Sequence, residues 1–143
     1  MAKNYRTTVP NWDKNLGNNG TPVLIGLIRP LDGDQAPPAF LKSVKVSIKQ
    51  RNQNDSPQSF MILASSNDSW NADDVITAQA TGMMGGSVWL SLKRAIRSYT
   101  EETDRGDGPV YLFASAADMG LVGDCECDII IESWGRHCLV GAQ

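Results

Sequence analysis

The three cysteines and the single histidine of this chain all fall within its last twenty residues. Cys125, Cys127, His137 and Cys138 match in number the four ligands of a Cys₃His zinc site. The alternative is that Cys125 and Cys127, two positions apart, share the inward face of a strand with isoleucines, because cysteine is among the most buried residue types. An odd count at this spacing is not a disulfide framework. We expect Cys125 and Cys127 to be buried, reduced and free of metal.

Catalysis requires positioned groups whose pKa values suit proton transfer or nucleophilic attack. His137, the only histidine, stands beside Cys138, and no serine lies in a G-x-S-x-G nucleophile elbow. A jelly-roll enzyme of the cupin kind would need several histidine ligands. We therefore predict that the protein is not an enzyme and has neither a cofactor nor a small-molecule substrate.

Two acidic loops and one glycine-rich loop are further candidates for binding. Asp32-Gly33-Asp34 and Asp104-Arg105-Gly106-Asp107 could offer oxygen atoms to calcium, but neither has the closing glutamate of an EF-hand loop. We expect both to be turns. Gly82-Met83-Met84-Gly85-Gly86 lacks the lysine of a phosphate-binding loop, which leaves a hairpin tip or an adaptable contact surface made by its methionines.

Basic residues alternate along one predicted strand. Lys45, Lys49 and Arg51 fall on the same face and form a candidate contact for anions or nucleic acid, because a row of cations can follow a phosphate backbone. The alternative is a solvated face on which lysines protect a sheet edge. The four tryptophans are scattered along the chain rather than arranged as a stacking platform.

Charge is distributed unevenly along the chain. Residues 1–51 carry eight Lys/Arg and three Asp, a net charge of +5, whereas residues 52–143 carry five Lys/Arg and thirteen acids, a net charge of −8. One face could therefore meet an anionic partner or a second copy. Alternatively, strand pairing places the two halves side by side and cancels the field, and we favour this interpretation.

The elements that would carry these residues are short strands separated by turn signals. Val44, Val46 and Ile48 alternate with Lys45, Ser47 and Lys49, as in a strand with one buried face. Comparable runs recur along the chain at Pro22–Arg29, Ser43–Gln50, Phe60–Ala64, Val75–Thr81, Ser87–Leu92, Val110–Ala114 and Cys125–Trp134. Trp89 to Tyr99 also has helical spacing, but we predict strand there, with a helical turn near Arg94. The pattern predicts an all-β, antiparallel β-sandwich or jelly roll of about eight strands.

Residues 1–20 are polar and rich in asparagine, and their apolar content is too low for a core element. We predict an N-terminal arm over 1–20 and one β-sandwich domain over 21–143. Tyr5, Val9 and Trp12 are the arm's apolar anchors and the expected assembly residues, because large aromatic side chains dominate interface energies. No run of residues has the length and apolarity of a membrane span, and no signal peptide is recognisable.

This succession of strands behind a polar arm resembles that of viral single jelly-roll capsid proteins. The resemblance implies a structural, self-assembling shell subunit, either of a capsid or decorating one. It also implies that the partners are copies of itself and other capsid proteins, and that the protein is located in the virion after synthesis in the host cytoplasm. One departure is the arm, which carries only Lys3, Arg6 and Lys14, whereas many small jelly-roll coat proteins have a strongly basic arm for the genome.

A second hypothesis is a ligand-binding β-sandwich, such as a carbohydrate-binding module. Modules of this class present aromatic side chains on one exposed face, and Trp70, Trp89 and Tyr111 are the candidates here. The missing secretion signal argues against this alternative.

Overall fold

The computed structural model describes residues 6–16, 21–29, 39–51, 59–96, 109–116, 125–134 and 138–141. These residues form nine β-strands and one turn of 3₁₀ helix (Ala72–Asp74). The strands are β1 (Arg6–Asn15), β2 (Val23–Arg29), β3 (Ala39–Gln50), β4 (Phe60–Ser65), β5 (Val75–Ala80), β6 (Gly85–Ile96), β7 (Val110–Ala116), β8 (Glu126–Trp134) and β9 (Cys138–Gly141). In the part of the chain described, no helix is both long and apolar enough to cross a membrane.

The strands form two antiparallel sheets with the connectivity of a jelly roll. One sheet has the order β1-β8-β3-β6 and the other β5-β4-β7-β2-β9. The first eight strands pair in a nested way, the first with the eighth, the second with the seventh, the third with the sixth and the fourth with the fifth. This nesting is what results when one long antiparallel hairpin is rolled into two sheets. β9 adds a fifth strand beside β2. The predicted fold class is confirmed.

The core lies between the two sheets and is made by alternate residues of each strand. On β8, Cys127, Ile129 and Ile131 are buried whereas their neighbours are at least partly exposed, as the period of a strand requires. β3 contributes Val44 and Val46 in the same way. The larger fully buried side chains that fill the space are Phe60, Leu16, Ile25, Ile28, Leu41, Ile62, Leu90, Leu112, Ile129 and Ile131.

The first strand differs from the sequence prediction. The sequence predicts an arm outside the sandwich over residues 1–20, but Arg6–Asn15 form β1, which pairs with β8 at the edge of the four-stranded sheet. The register shifts between Val9 and Trp12, where Pro10 lies. Proline and a bulge are tolerated at a sheet edge because no ladder hydrogen bond is required on the open side. An edge strand also needs fewer apolar residues than a central one.

The connection between β5 and β6 is the second difference. The sequence is compatible with a hairpin tip at Gly82–Gly86, but β5 and β6 belong to different sheets, so the segment carries the chain across the sandwich. Gly85, with φ +110°, and Met84, with φ 67°, adopt the left-handed region that turns the chain. The Gln50 N–H donates to the Met84 carbonyl at 3.0 Å and ties this corner to the end of β3.

The predicted helical turn near Arg94 is absent, since β6 continues as a strand to Ile96. Between Leu41 and Ser43 the pairing of β3 with β6 shifts, because the β6 side contains one extra residue. Lys93 lies in this bulge with φ 50°, a conformation that such an extra residue often adopts. β9, of four residues, is not predicted by the sequence pattern.

Candidate functional site

The surface of the four-stranded sheet that points away from the core carries the most distinctive exposed side chains among the described residues. We call it the outer face. Its members are the residues of three strands that alternate with buried positions: Ser43, Lys45, Ser47 and Lys49 on β3, Ser87, Trp89 and Ser91 on β6, and Asp128, Ile130, Glu132 and Trp134 on β8.

Two tryptophans stack on this face. Trp89 on β6 and Trp134 on β8 have ring centroids 5.4 Å apart and ring planes at 27°, although β3 separates the two strands that carry them. Lys45, opposite Trp89 in the register, places its Nζ 5.9 Å from the Trp89 ring centroid, within the range of a cation–π contact. Trp89 is nevertheless 51% exposed. The pair and its lysine therefore make a braced aromatic surface that remains open to solvent.

A shallow groove of about 340 Å³ reaches Ser87, two residues before Trp89 on β6. It is lined by Ser47, Ile48, Lys49, Gly86, Ser87, Asp128 and Ile130. The hydroxyls of Ser47 and Ser87 are 2.7 Å apart and hydrogen-bonded to each other. Gly86 has open space where a side chain would begin. The groove thus combines hydroxyl, ammonium and carboxylate groups with a small apolar wall.

The charges of the outer face are matched in rows. Lys45 lies opposite Glu132, and Lys49 lies opposite Asp128. Beyond them, the Arg51 guanidinium is 3.3 Å from the Asp128 carboxylate and 3.6 Å from that of Glu126. The basic first half of the chain is therefore interleaved with the acidic second half, which is the interpretation that we favour from the sequence, and opposite charges across neighbouring strands attract.

The predicted nucleic-acid contact is thus located on β3 and just after it, but it is not a free cationic row. Lys45, Lys49 and Arg51 each lie beside an acidic residue of β8. Counterion release, which dominates binding to nucleic acids, scales with the number of phosphates that unpaired cations neutralise. Whether these three residues contact nucleic acid stays a prediction, and the local charge balance weakens it.

Cys125 and Cys127 are buried and free of disulfides, as predicted. Their Sγ atoms are 4.0 Å apart, and the Cys127 thiol also contacts the Cys125 carbonyl at 3.5 Å. Burial raises the pKa of the Cys127 thiol far above its ordinary value, and the neighbouring Cys125 adds to the increase. Both effects disfavour the reactive thiolate form. Among the described residues, no group of three or more His, Cys, Asp and Glu is placed to hold a metal ion.

The aromatic residues proposed for a carbohydrate-binding module do not share a face. Trp89 belongs to the four-stranded sheet, whereas Tyr111 is on β7 of the five-stranded one. Trp70, in the segment after β4, packs edge-on against Phe113 of β7, with centroids 5.6 Å apart and planes at 63°. The partner of Trp89 is instead Trp134, which is not among the residues predicted from the sequence. The sequence pattern could have identified Trp134, because both tryptophans occupy outward positions of predicted strands.

Several residues singled out in the sequence have no described side chain. Tyr5, His137 and the loops Asp32–Asp34 and Asp104–Asp107 lie outside the described residues, and for Val9 and Trp12 only the backbone, in β1, is described. The assembly role of Tyr5, Val9 and Trp12 therefore stays a prediction.

No model of a known protein family matches this chain, and no curated protein matches it either.

Proposed function

We propose that this chain is a structural protein that assembles with copies of itself, as a capsid subunit or a capsid-decorating subunit of a virus or phage. The observation that carries the proposal is the nested jelly-roll connectivity of β1 to β8 in two facing sheets. Jelly rolls recur in viral shells, but also in lectins and cupins. Because a fold hosts many functions, the surface of the molecule has to supply the rest of the argument.

The surface supports assembly through large apolar side chains that the fold leaves in solvent. Met83 is 64% exposed at the corner between β5 and β6, and Met61 and Val140 are each 37% exposed. An exposed methionine is flexible and polarisable, and it suits a contact that must adapt to differently placed neighbours. In this proposal the β5–β6 corner is one of the contacts between subunits.

β1 supplies a second means of assembly. It lies at the edge of the four-stranded sheet, where a strand can accept a neighbouring chain by backbone hydrogen bonding. Residues 1–5 precede it and include Tyr5, one of the predicted anchors. In this proposal the segment ahead of β1 continues onto an adjacent subunit.

The test is the size of the protein in solution over a range of concentrations, measured by sedimentation velocity and electron microscopy. We expect closed particles or large oligomers, and we expect Met83→Asp to lower the assembled fraction at least about tenfold, because it places a charge in an apolar contact. Gln79→Asp is the matched control, since it adds the same charge at an exposed position within β5, outside the corner. A chain that stays monomeric at millimolar concentration would contradict the proposal.

Deletion of residues 1–5 tests the segment ahead of β1. This truncation leaves β1 (Arg6–Asn15) in place, whereas a deletion of residues 1–14 would also remove most of one strand of the sheet. We expect smaller oligomers with an unchanged thermal unfolding midpoint. Assembly identical to that of the full chain would remove this segment from the proposal while leaving the β5–β6 corner.

A further inference from the structure

We infer that the outer face of the four-stranded sheet binds a neutral oligosaccharide, with Trp89 as its aromatic platform and the groove beside it as the hydrogen-bonding subsite. This inference goes beyond the proposed function, because it assigns a ligand to a surface that shell assembly does not require. Three properties of the outer face carry it: a braced and exposed tryptophan, a hydroxyl-rich groove and balanced charge.

The first property is that the Trp89 indole is fixed by its neighbours and still exposed. Its indole is held by the Trp134 ring at 5.4 Å and by the Lys45 ammonium at 5.9 Å, yet half of its surface stays accessible. A large side chain fixed in this way loses little conformational entropy when a ligand packs on it. Sugar rings present apolar patches of C–H groups, and these patches pack favourably against indole rings.

The second property is the chemistry of the groove. At about 340 Å³ it lies at the lower end of the range for small-ligand sites. The Ser47 and Ser87 hydroxyls both donate and accept hydrogen bonds, the Lys49 ammonium donates and the Asp128 carboxylate accepts. Sugar hydroxyls do both as well, so this mixed set of groups suits a polyol better than a ligand that only accepts or only donates.

The third property is the charge, which argues against two other occupants. Lys45 and Lys49 lie opposite Glu132 and Asp128, so these carboxylates offset the positive charge that would drive nucleic-acid binding. A stable protein interface is also disfavoured, because serine, lysine, aspartate and glutamate are depleted from the centres of such interfaces, and these residue types surround Trp89. A neutral, hydroxylated ligand remains as the occupant.

The experiment titrates the full-length chain with two neutral probes, a linear β-1,4-linked hexasaccharide of glucose and one of N-acetylglucosamine. Binding is followed by saturation-transfer NMR and by tryptophan fluorescence. We expect saturation transfer to the C–H groups of at least one probe, with millimolar or tighter affinity. A single-stranded oligonucleotide is titrated in parallel.

Substitutions locate the site. Trp89→Ala is expected to weaken binding about tenfold or more, whereas Trp89→Phe keeps an aromatic surface and retains most of the affinity. Ser87→Leu is a second variant that keeps Trp89 and fills the groove, and it is expected to abolish binding. It tests the site independently if the Trp89→Ala variant does not fold. Gln79→Ala is the control, because Gln79 is an exposed residue of β5, which belongs to the other sheet, and it is expected to leave the affinity unchanged.

The outcomes separate this inference from the proposed function. No saturation transfer to either hexasaccharide, or equal affinity in the Trp89→Ala variant, overturns the inference. The same holds if the oligonucleotide binds more tightly than the saccharides, or if Trp89→Ala alters the oligomeric state and leaves saccharide binding unchanged. A protein that remains monomeric but binds a hexasaccharide overturns shell assembly and leaves the saccharide site standing.

Discussion

Gly26 and Ile131 meet across the sandwich, where the absence of a side chain at Gly26 makes room for the δ-methyl of Ile131. Gly26 is on β2 of one sheet and Ile131 on β8 of the other. A Cβ atom at position 26 would lie 2.7 Å from Ile131 Cδ1 and 3.3 Å from the Val140 carbonyl oxygen. Both values are below ordinary van der Waals contact, so this close approach depends on glycine.

Gly26→Ala is therefore expected to destabilise the protein by about 1–3 kcal/mol, the usual effect of overpacking a core. Ile131→Val removes the atom that the new Cβ would meet, and by itself costs about 0.5–1.5 kcal/mol. The double variant should lose less free energy of unfolding than the two single variants lose in sum, and a double-mutant cycle measured by urea unfolding tests this. Simple additivity would show that the two residues do not compete for this space.

Gly85 is required by its backbone conformation and by its surroundings. Its φ is +110°, and a Cβ atom there would collide with the Ile48 carbonyl. We expect Gly85→Ala to lower the free energy of unfolding by at least about 2 kcal/mol, because backbone cannot yield as the end of a flexible side chain can. Gly82→Ala is the control, since a Cβ atom at position 82 would have no neighbour within 4 Å, and it should change stability little in the same urea titration.

The raised pKa of Cys127 predicts a loss of stability in alkali. Below the ordinary thiol pKa, near 9.0, the thiol is protonated in both states, so this group adds no pH dependence to the stability. Above it, the unfolded chain releases this proton while the folded chain keeps it, so unfolding is favoured by about 1.4 kcal/mol per pH unit. Urea unfolding at pH 8 to 11 measures the slope.

Cys127→Ala should reduce that slope by the contribution of one proton, although it also lowers stability at neutral pH through lost packing. An equal slope in the variant would contradict the predicted titration. As an independent check, the native protein at pH 8 should react with a thiol reagent at neither Cys125 nor Cys127 until it is unfolded. Peptide mapping of the labelled cysteines by mass spectrometry identifies which thiol reacted.

The interleaved charges predict the effect of a charge reversal on β3. Lys49 lies opposite Asp128, so Lys49→Glu places two carboxylates directly across from each other. We expect a loss of up to about 1 kcal/mol at low salt, and a smaller loss at high salt, because screening weakens repulsion between exposed groups. Lys93→Glu, at an exposed bulge position on β6, is the comparison. Equal losses of stability in both variants would indicate that repulsion from Asp128 is not the cause of the loss at position 49.

Local patterns predict the strands whose composition is unambiguous. The alternation of Val44, Val46 and Ile48 and that of Cys127 and Ile129 follow from side chains that point to opposite sides of a strand, so these elements can be located without any partner. β1 is not predicted by such a pattern, because its sequence is polar and contains Pro10. Proline is compatible with a strand only at a sheet edge. β9 escapes it because four residues are too few for a pattern.

What the sequence determined by itself is the all-β class, the faces of the main strands and the burial of Cys125 and Cys127, since these depend on residue type and on a period of two. Only the tertiary structure decided which strands are neighbours. The pairing of β3 with β8 places Lys45 opposite Glu132, and the stacking of Trp89 on Trp134 brings together residues from strands on either side of β3. The sequence of Gly82–Gly86 likewise does not predict that β5 and β6 belong to different sheets. Such contacts join residues far apart in the chain, and they are selected by the combined burial of both sheets rather than by any local preference.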